Sequence, residues 1–393
     1  MKIAYVLPYL QKPTGWRNHS TAFIKAIQEH VEPVLFVAAA DYEISQSLFS
    51  GLRIYPLPVT QLASLATRRG LRNLAASYWK IAKSTYPAVD LVHSLEAYPT
   101  GLVGAWLAQK KHCPHAITTH GTYGVVWAER RLDRLAYEQT LRKTRLICPV
   151  SHGTARMVHQ YFARALANTC VRPILNGNPY HKTISRETAF NRSFPVIPTL
   201  ITVGDIKPRK GHHLSLAAFA RVKAQIPQAR YRIVGNFKIS DPYFQQLQQY
   251  IASQQLNDVA FLGVVSDADL RRYYLEASLF VLTPQQEGLH FEGFGLVYLE
   301  AGAYGLPVVA TRTGGVPDAV KDGQTGFLAN PGEVEEIANA ITRLLSEPEL
   351  CRRMGRANRQ WAEMLTWERC AREQYLVYQD LFTASCHADH SSP

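Results

Sequence analysis

The chain has 393 residues, 47% hydrophobic and 19% charged, which excludes a disordered chain and leaves room for two or three domains. No apolar run approaches the roughly 18 residues of a membrane-spanning helix, and the stretch from Ile3 to Leu7 stops at Pro8, too short for the core of a secretory leader. The six cysteines form no C-x-x-C pair, so the expectation is neither a disulfide framework nor a zinc knuckle but a reducing, cytoplasmic compartment.

Short apolar runs alternate with helical patterns from the start. Residues 2–7 read as a strand, followed by a loop holding Pro13 and Gly15 and a helix over 21–29. Further strands are expected at 33–38, 91–93, 116–119 and 145–150, each trailed by a helix. Residues 181–198 are polar and irregular, with Pro195 and Pro198, and read as a linker. A second alternation places strands at 200–203, 229–234, 259–261, 279–282 and 308–310. Helices are expected at 214–226, 333–345, 347–362 and 367–382. Strand–helix alternation predicts an α/β fold, with parallel sheets covered by helices on both faces. The expected organisation is a first domain over 1–180, the linker, and a second domain over 199–366. The helix 367–383 packs back on the first domain, and 384–393 form a mobile tail. Ligands of such doubly wound sheets lie beyond the carboxyl ends of the strands, where the strand order reverses.

The net charge is +12, and all of it lies in the first half: residues 1–180 hold 21 Lys and Arg against 9 Asp and Glu. Two clusters stand out. One is Arg68, Arg69, Arg72, Lys80 and Lys83, in a stretch without acids where Leu71, Leu74, Tyr78 and Ile81 recur at helical spacing. The other is Arg130, Arg131, Arg134, Arg142, Lys143 and Arg145. Either two solvated helix faces or a surface for anionic lipid explains them. A nucleic-acid partner is not expected, because no aromatic RNA-binding strand motif, helix-turn-helix signature or zinc finger occurs.

The most specific segment runs from Glu292 to Pro317, EGFGLVYLEAGAYGLPVVATRTGGVP. If a helix starts near Gly295, Glu292 lies in the loop before it and Glu300 inside it. The turn Gly293-Phe294-Gly295-Leu296 then lets backbone N–H groups approach an anion at the helix N-terminus, a cradle suited to a diphosphate. A carboxylate inside that helix suits a ribose diol, whose two hydroxyls donate to it. Asp267-Ala268-Asp269 resembles a metal-binding D-x-D string, but Ser266 and Asp269 read better as a capping box. His387 and His390 read as incidental. No G-x-G-x-x-G follows the first strand and no G-x-S-x-G is present, which argues against a nicotinamide dehydrogenase and an α/β-hydrolase.

The E-x7-E segment, the following Leu-Glu-Ala and the PVVAT-x-x-GG-x-P beyond it resemble the retaining glycosyltransferases of family four, of GT-B fold. The resemblance extends from the opening MKIAYVLP to the last helices and is strongest over 199–328. It implies two Rossmann-like domains facing across a cleft that transfer a sugar from a UDP- or GDP-sugar to a hydroxyl, in cell-surface polysaccharide or glycoconjugate synthesis. Pro208-Arg209-Lys210-Gly211 matches the family's phosphate loop, so Lys210, with Arg209, is expected to neutralise the diphosphate. His120, followed by Gly121, matches the family's histidine near the sugar, and Glu292 is expected there too. Glu300 would hold the ribose. Gly15 takes the place of a Gly-Gly pair, and Asp205 stands where the family often has arginine. Backbone groups near Gly263 and Val264 would recognise the base, and Asn176-Gly177 would end the first domain. The resemblance implies no metal or other cofactor. The +12 confined to the first half makes the basic first domain the expected place of the acceptor, a glycan or lipid-linked saccharide, with an anionic membrane surface as partner. Another GT-B enzyme (a phosphorylase or sugar-nucleotide epimerase) and a non-catalytic nucleotide-sugar-binding protein remain as alternatives.

Overall fold

The structure, a computed structural model, describes residues 1–11, 15–57, 67–192 and 194–383, without the side chains of residues 16, 68, 69, 71 and 74. Pro13, the tail 384–393 with His387 and His390, and the side chains of Arg68, Arg69, Leu71 and Leu74, all considered above, therefore lie outside what is described. The chain divides into two compact units: Met1–Gly177 together with the chain from Trp367, and Asn178–Thr366.

The first unit is a seven-stranded sheet of order β3-β2-β1-β4-β5-β6-β7, all parallel. Its strands are β1 (Lys2–Val6), β2 (Glu32–Ala38), β3 (Arg53–Leu57), β4 (Leu91–Ser94), β5 (His115–Thr119), β6 (Leu146–Pro149) and β7 (Cys170–Val171). Side chains alternate between its faces, as a strand period of two requires. Ile3 and Tyr5 point to one face with Leu35, Leu91 and Leu146, and are covered by Phe23, Ile24 and Ile27 of the helix Gly15–Ile27. Ala4 and Val6 point to the other with Val34, Phe36 and Val92, under Ile81, Val103 and Leu107. The first core is finished by Trp367, Cys370, Ala371 and Tyr378 of the helix Trp367–Phe382.

The second unit is a six-stranded parallel sheet of order β10-β9-β8-β11-β12-β13, built from β8 (Thr199–Val203), β9 (Arg230–Val234), β10 (Val259–Gly263), β11 (Leu279–Leu282), β12 (Val308–Thr311) and β13 (Gly326–Ala329). Its order reverses between β8 and β11, as the first sheet's does between β1 and β4. No described helix is long and apolar enough to cross a membrane.

Three departures from the sequence reading have physical causes. The first helix starts at Gly15 rather than residue 21, because His19 and Ser20 go into the interior despite their polarity. Strand β3 was not anticipated, because Pro56 breaks the pattern; the strand lies at the sheet edge, where the lost N–H leaves no ladder bond unmade. Residues 181–198 are not a free linker but belong to the second unit. They contain the helix Arg186–Phe190, capped by the Ser185 side chain, and Arg359 donates from Nη1 to the Ile184 carbonyl at 3.1 Å. That unit accordingly begins at Asn178 rather than 199, and the first ends at Gly177 rather than 180.

Candidate active site

The second sheet's reversal brings two loops together. After β8 the chain makes a turn at Pro208–Lys210, and Gly211 then adopts φ 72°. A Cβ on Gly211 would lie 1.7 Å from the Thr283 carbonyl oxygen in the loop after β11, so no side chain fits there. The Thr283 hydroxyl donates to the Gly211 carbonyl at 2.8 Å, and the Gln285 N–H to the Arg209 carbonyl at 2.8 Å. These bonds fix the direction in which Arg209 and Lys210 point.

They point at Glu292. Lys210 Nζ lies 2.5 Å from Glu292 Oε2, and Arg209 Nη1 3.5 Å from the same oxygen. Burial pushes the Glu292 carboxyl up, but Lys210 and then Arg209 outweigh it, so the group titrates below the usual carboxylate range and is ionised at neutral pH. The Glu292 backbone is pinned as well, since its carbonyl accepts from the Gly315 N–H at 2.9 Å.

The helix Leu296–Ala303 begins just beyond. Gly295, at φ 89°, is its N-cap, and a Cβ there would lie 2.3 Å from the Tyr298 ring. Phe294 is buried and anchors the turn that also carries Gly293. Helix, ion pair and glycine turn thus lie beyond the carboxyl ends of β8 and β11, at the reversal where a doubly wound fold binds ligands. Inside the helix, burial pushes the Glu300 carboxyl up to about 7, opposed by the neighbouring Tyr274 hydroxyl. Tyr274 comes from the helix Asp267–Glu276, and nothing in its local sequence marks it.

Gly263 ends the edge strand β10 with its carbonyl accepting from the Gly235 N–H at 3.0 Å, and Val264 is exposed. Asp205 pairs with the exposed Lys207 at 2.9 Å. Ser266 accepts from the Asp269 N–H at 3.1 Å, so the D-x-D string is a helix cap.

In the first unit, Gly15 opens its helix with nothing within 4 Å of where a Cβ would stand. His120 follows β5 and donates from Nε2 to the Leu95 carbonyl at 3.0 Å, at the end of β4. A carbonyl only accepts, so the neutral ring carries its proton on Nε2 and keeps Nδ1 as an acceptor. Burial lowers its pKa to about 4, which keeps it neutral at pH 7. His19 packs edge-on against it, centroids 4.5 Å apart, and is itself backed by Trp367 at 5.1 Å. Nothing in the sequence marks His19, since polar residues at the start of a helix normally face solvent.

Comparison with known proteins gives the family and the fold. Residues 187–361 match the family described as Glycosyl transferases group 1, and residues 14–177 match Glycosyltransferase Family 4. The sulfoquinovosyl transferase SQD2 of Arabidopsis thaliana is 32% identical over 90% of this chain and 68% of its own. A GDP-mannose-dependent alpha-(1-6)-phosphatidylinositol monomannoside mannosyltransferase of Mycolicibacterium smegmatis is 33% identical, over 42% of this chain and 43% of its own. Among solved structures, Anabaena Alr3699/HepE in complex with UDP and glucose superposes with a TM-score of 0.69 at 20% identity, covering 97% of this chain and all of that one. With these matches over most of its length and two doubly wound parallel sheets, the chain belongs to glycosyltransferase family 4 and has the GT-B fold.

Proposed function

We propose that the protein is a retaining glycosyltransferase that moves a sugar from a nucleotide-sugar donor to a hydroxyl of a glycan or lipid-linked saccharide. The observation that carries this reading is the convergence of Arg209 and Lys210 on Glu292 in front of the Gly295-capped helix. A nucleoside diphosphate gains negative charge as it leaves, and two fixed cations beside a helix N-terminus stabilise that charge without a metal ion. Glu300 binds the ribose diol, Glu292 and His120 bind the sugar, and backbone groups near Gly263 and Val264 meet the base. Proteins similar to this one are described with UDP and glucose, or as GDP-mannose-dependent, which supports a UDP- or GDP-sugar. The leaving diphosphate assists the incoming hydroxyl on the same face of the sugar, so the protein's part is positioning and charge stabilisation. The acceptor is held by the basic first unit, at an anionic membrane surface on the cytoplasmic side, in glycoconjugate or polysaccharide synthesis.

The test is hydrolysis of a panel of UDP- and GDP-sugars by the purified protein, with mass detection of released nucleotide. Turnover of one donor is expected, and Lys210→Ala should lower kcat about 10²–10³-fold. A chain that turns over no donor, or whose Lys210→Ala and Glu300→Ala variants both match the wild type, refutes the assignment.

A further inference from the structure

His120 has one fixed point. Its Nε2 donates to the Leu95 carbonyl at 3.0 Å, and among the described residues the ring makes no other hydrogen bond. One such bond tolerates a broad range of angles, so on its own it lets a flat ring rock about the bonded edge and swing Nδ1 through an arc.

His19 stands in the way of that motion. Its ring, on the helix Gly15–Ile27, meets His120 edge-on, with centroids 4.5 Å apart and planes at 86°. It has no room to retreat. Trp367 backs it at 5.1 Å and 84°, and Phe23, one turn along the same helix, lies nearly parallel to it at 5.9 Å. Phe23 is held in turn by Tyr5 of β1 at 5.9 Å and His93 of β4 at 6.4 Å. His93 is itself bonded to the hydroxyls of Tyr378 and Thr118, the latter at 2.9 Å. The wedge thus rests on the central strands and on the last helix, all within the first unit. Trp367 is the first residue of that helix and directly follows the end of the second unit, so the wedge is anchored where the chain re-enters the first.

His19 is only 5% exposed, and its Nδ1 is buried without a hydrogen-bond partner, so the ring acts by its shape rather than through a bond. Burial first, then the nearness of His120 and His93, holds its pKa well below the usual value. Both rings are therefore neutral at pH 7, and two imidazoles can lie this close without repelling.

We propose that His19 is a positioning residue: wedged between Trp367 and His120, it holds the His120 ring at the one tilt that presents Nδ1 to the transferred sugar. This rests on the reading of His120 as a sugar ligand given above, and adds the residue that orients it.

The experiment uses the full-length protein with His19→Ala, His120→Ala, both together, and His19→Phe, which keeps a ring in the wedge. Turnover is measured with the donor found in the nucleotide-sugar panel, and histidine ring signals are followed by NMR after isotope labelling. His19→Ala should lower kcat about tenfold or more. The double variant should be no slower than His120→Ala alone, because the wedge has nothing left to hold. His19→Phe should recover most of the loss. The His120 ring signal should broaden in His19→Ala as the ring rocks, while that of His115, bonded at both nitrogens elsewhere on β5, stays sharp. Should His19→Ala not fold, His19→Leu fills the space without a ring edge and takes its place. Additive losses in the double variant, no recovery in His19→Phe, or an unchanged His120 signal overturns the proposal. If His120→Ala turns over donor like the wild type, the reading of His120 as a sugar ligand fails and this proposal with it. If no donor is turned over, the enzyme assignment fails, and the His120 signal alone decides whether His19 holds the ring.

Discussion

Glu300 serves two ends that oppose each other. Its place on the helix Leu296–Ala303 suits a ribose diol, yet burial there raises its pKa from 4.5 to about 7. A carboxyl whose folded pKa is raised leaves the fold uncompromised below 4.5, where it is neutral in both states, and costs stability increasingly as pH rises from 4.5 to about 7, above which the cost is constant. Glu300→Gln is therefore expected to stabilise the protein above pH 7, on the order of 2 kcal/mol, with the gain vanishing in acid; thermal unfolding across pH measures it. Donor binding should move the other way. In the wild type the donor KM should rise as pH falls below about 7, and in Glu300→Gln it should be about tenfold higher and flat through that range. Of this arrangement the sequence shows what lies close along the chain, namely Glu292, Gly295 and Glu300. It does not show that Lys210 reaches Glu292, because they meet only once β8 and β11 pair. Nor does it show Tyr274, which reaches Glu300 from a separate helix.

Elements follow the same division. The central strands β1, β8 and β11 are legible because strands buried on both faces are continuous apolar runs. The edge strands β3, β7 and β13 are not, since one contains Pro56, one has two residues and one starts with Gly326. The helix Leu296–Ala303 was legible through its glycine, and that glycine gives a test. At Gly295 an alanine meets both an unfavourable φ and the Tyr298 ring, which is fully buried with its hydroxyl donating to the Leu282 carbonyl at 3.2 Å. Gly295→Ala should cost about 1–3 kcal/mol and, by turning the first helical N–H groups, weaken nucleotide binding; calorimetric unfolding with and without UDP or GDP reads both effects.

On the scale of the whole molecule, the first unit is not contiguous. Trp367 and Tyr378 each contribute about 1.5–3 kcal/mol of apolar burial to its core. A domain's net stability is only about 5–15 kcal/mol, so their loss is a large part of it. Residues 1–177 expressed alone should therefore lack a cooperative unfolding transition, and joining residues 367–383 through a flexible linker should restore it. A sharp transition in the short fragment would show that the last helix is dispensable.

The chain leaves and re-enters the first unit at neighbouring points, for the Asn178 N–H donates to the Leu365 carbonyl at 3.0 Å and Asn178 bridges to Thr366. The second unit is thus an uninterrupted insertion between those points. A ribosome delivering this chain supplies all seven strands of the first sheet before the second unit and their closing helix only after it. The insertion can complete its own interior while the earlier half still waits with one apolar face only partly covered, and in that interval nascent-chain chaperones have their substrate.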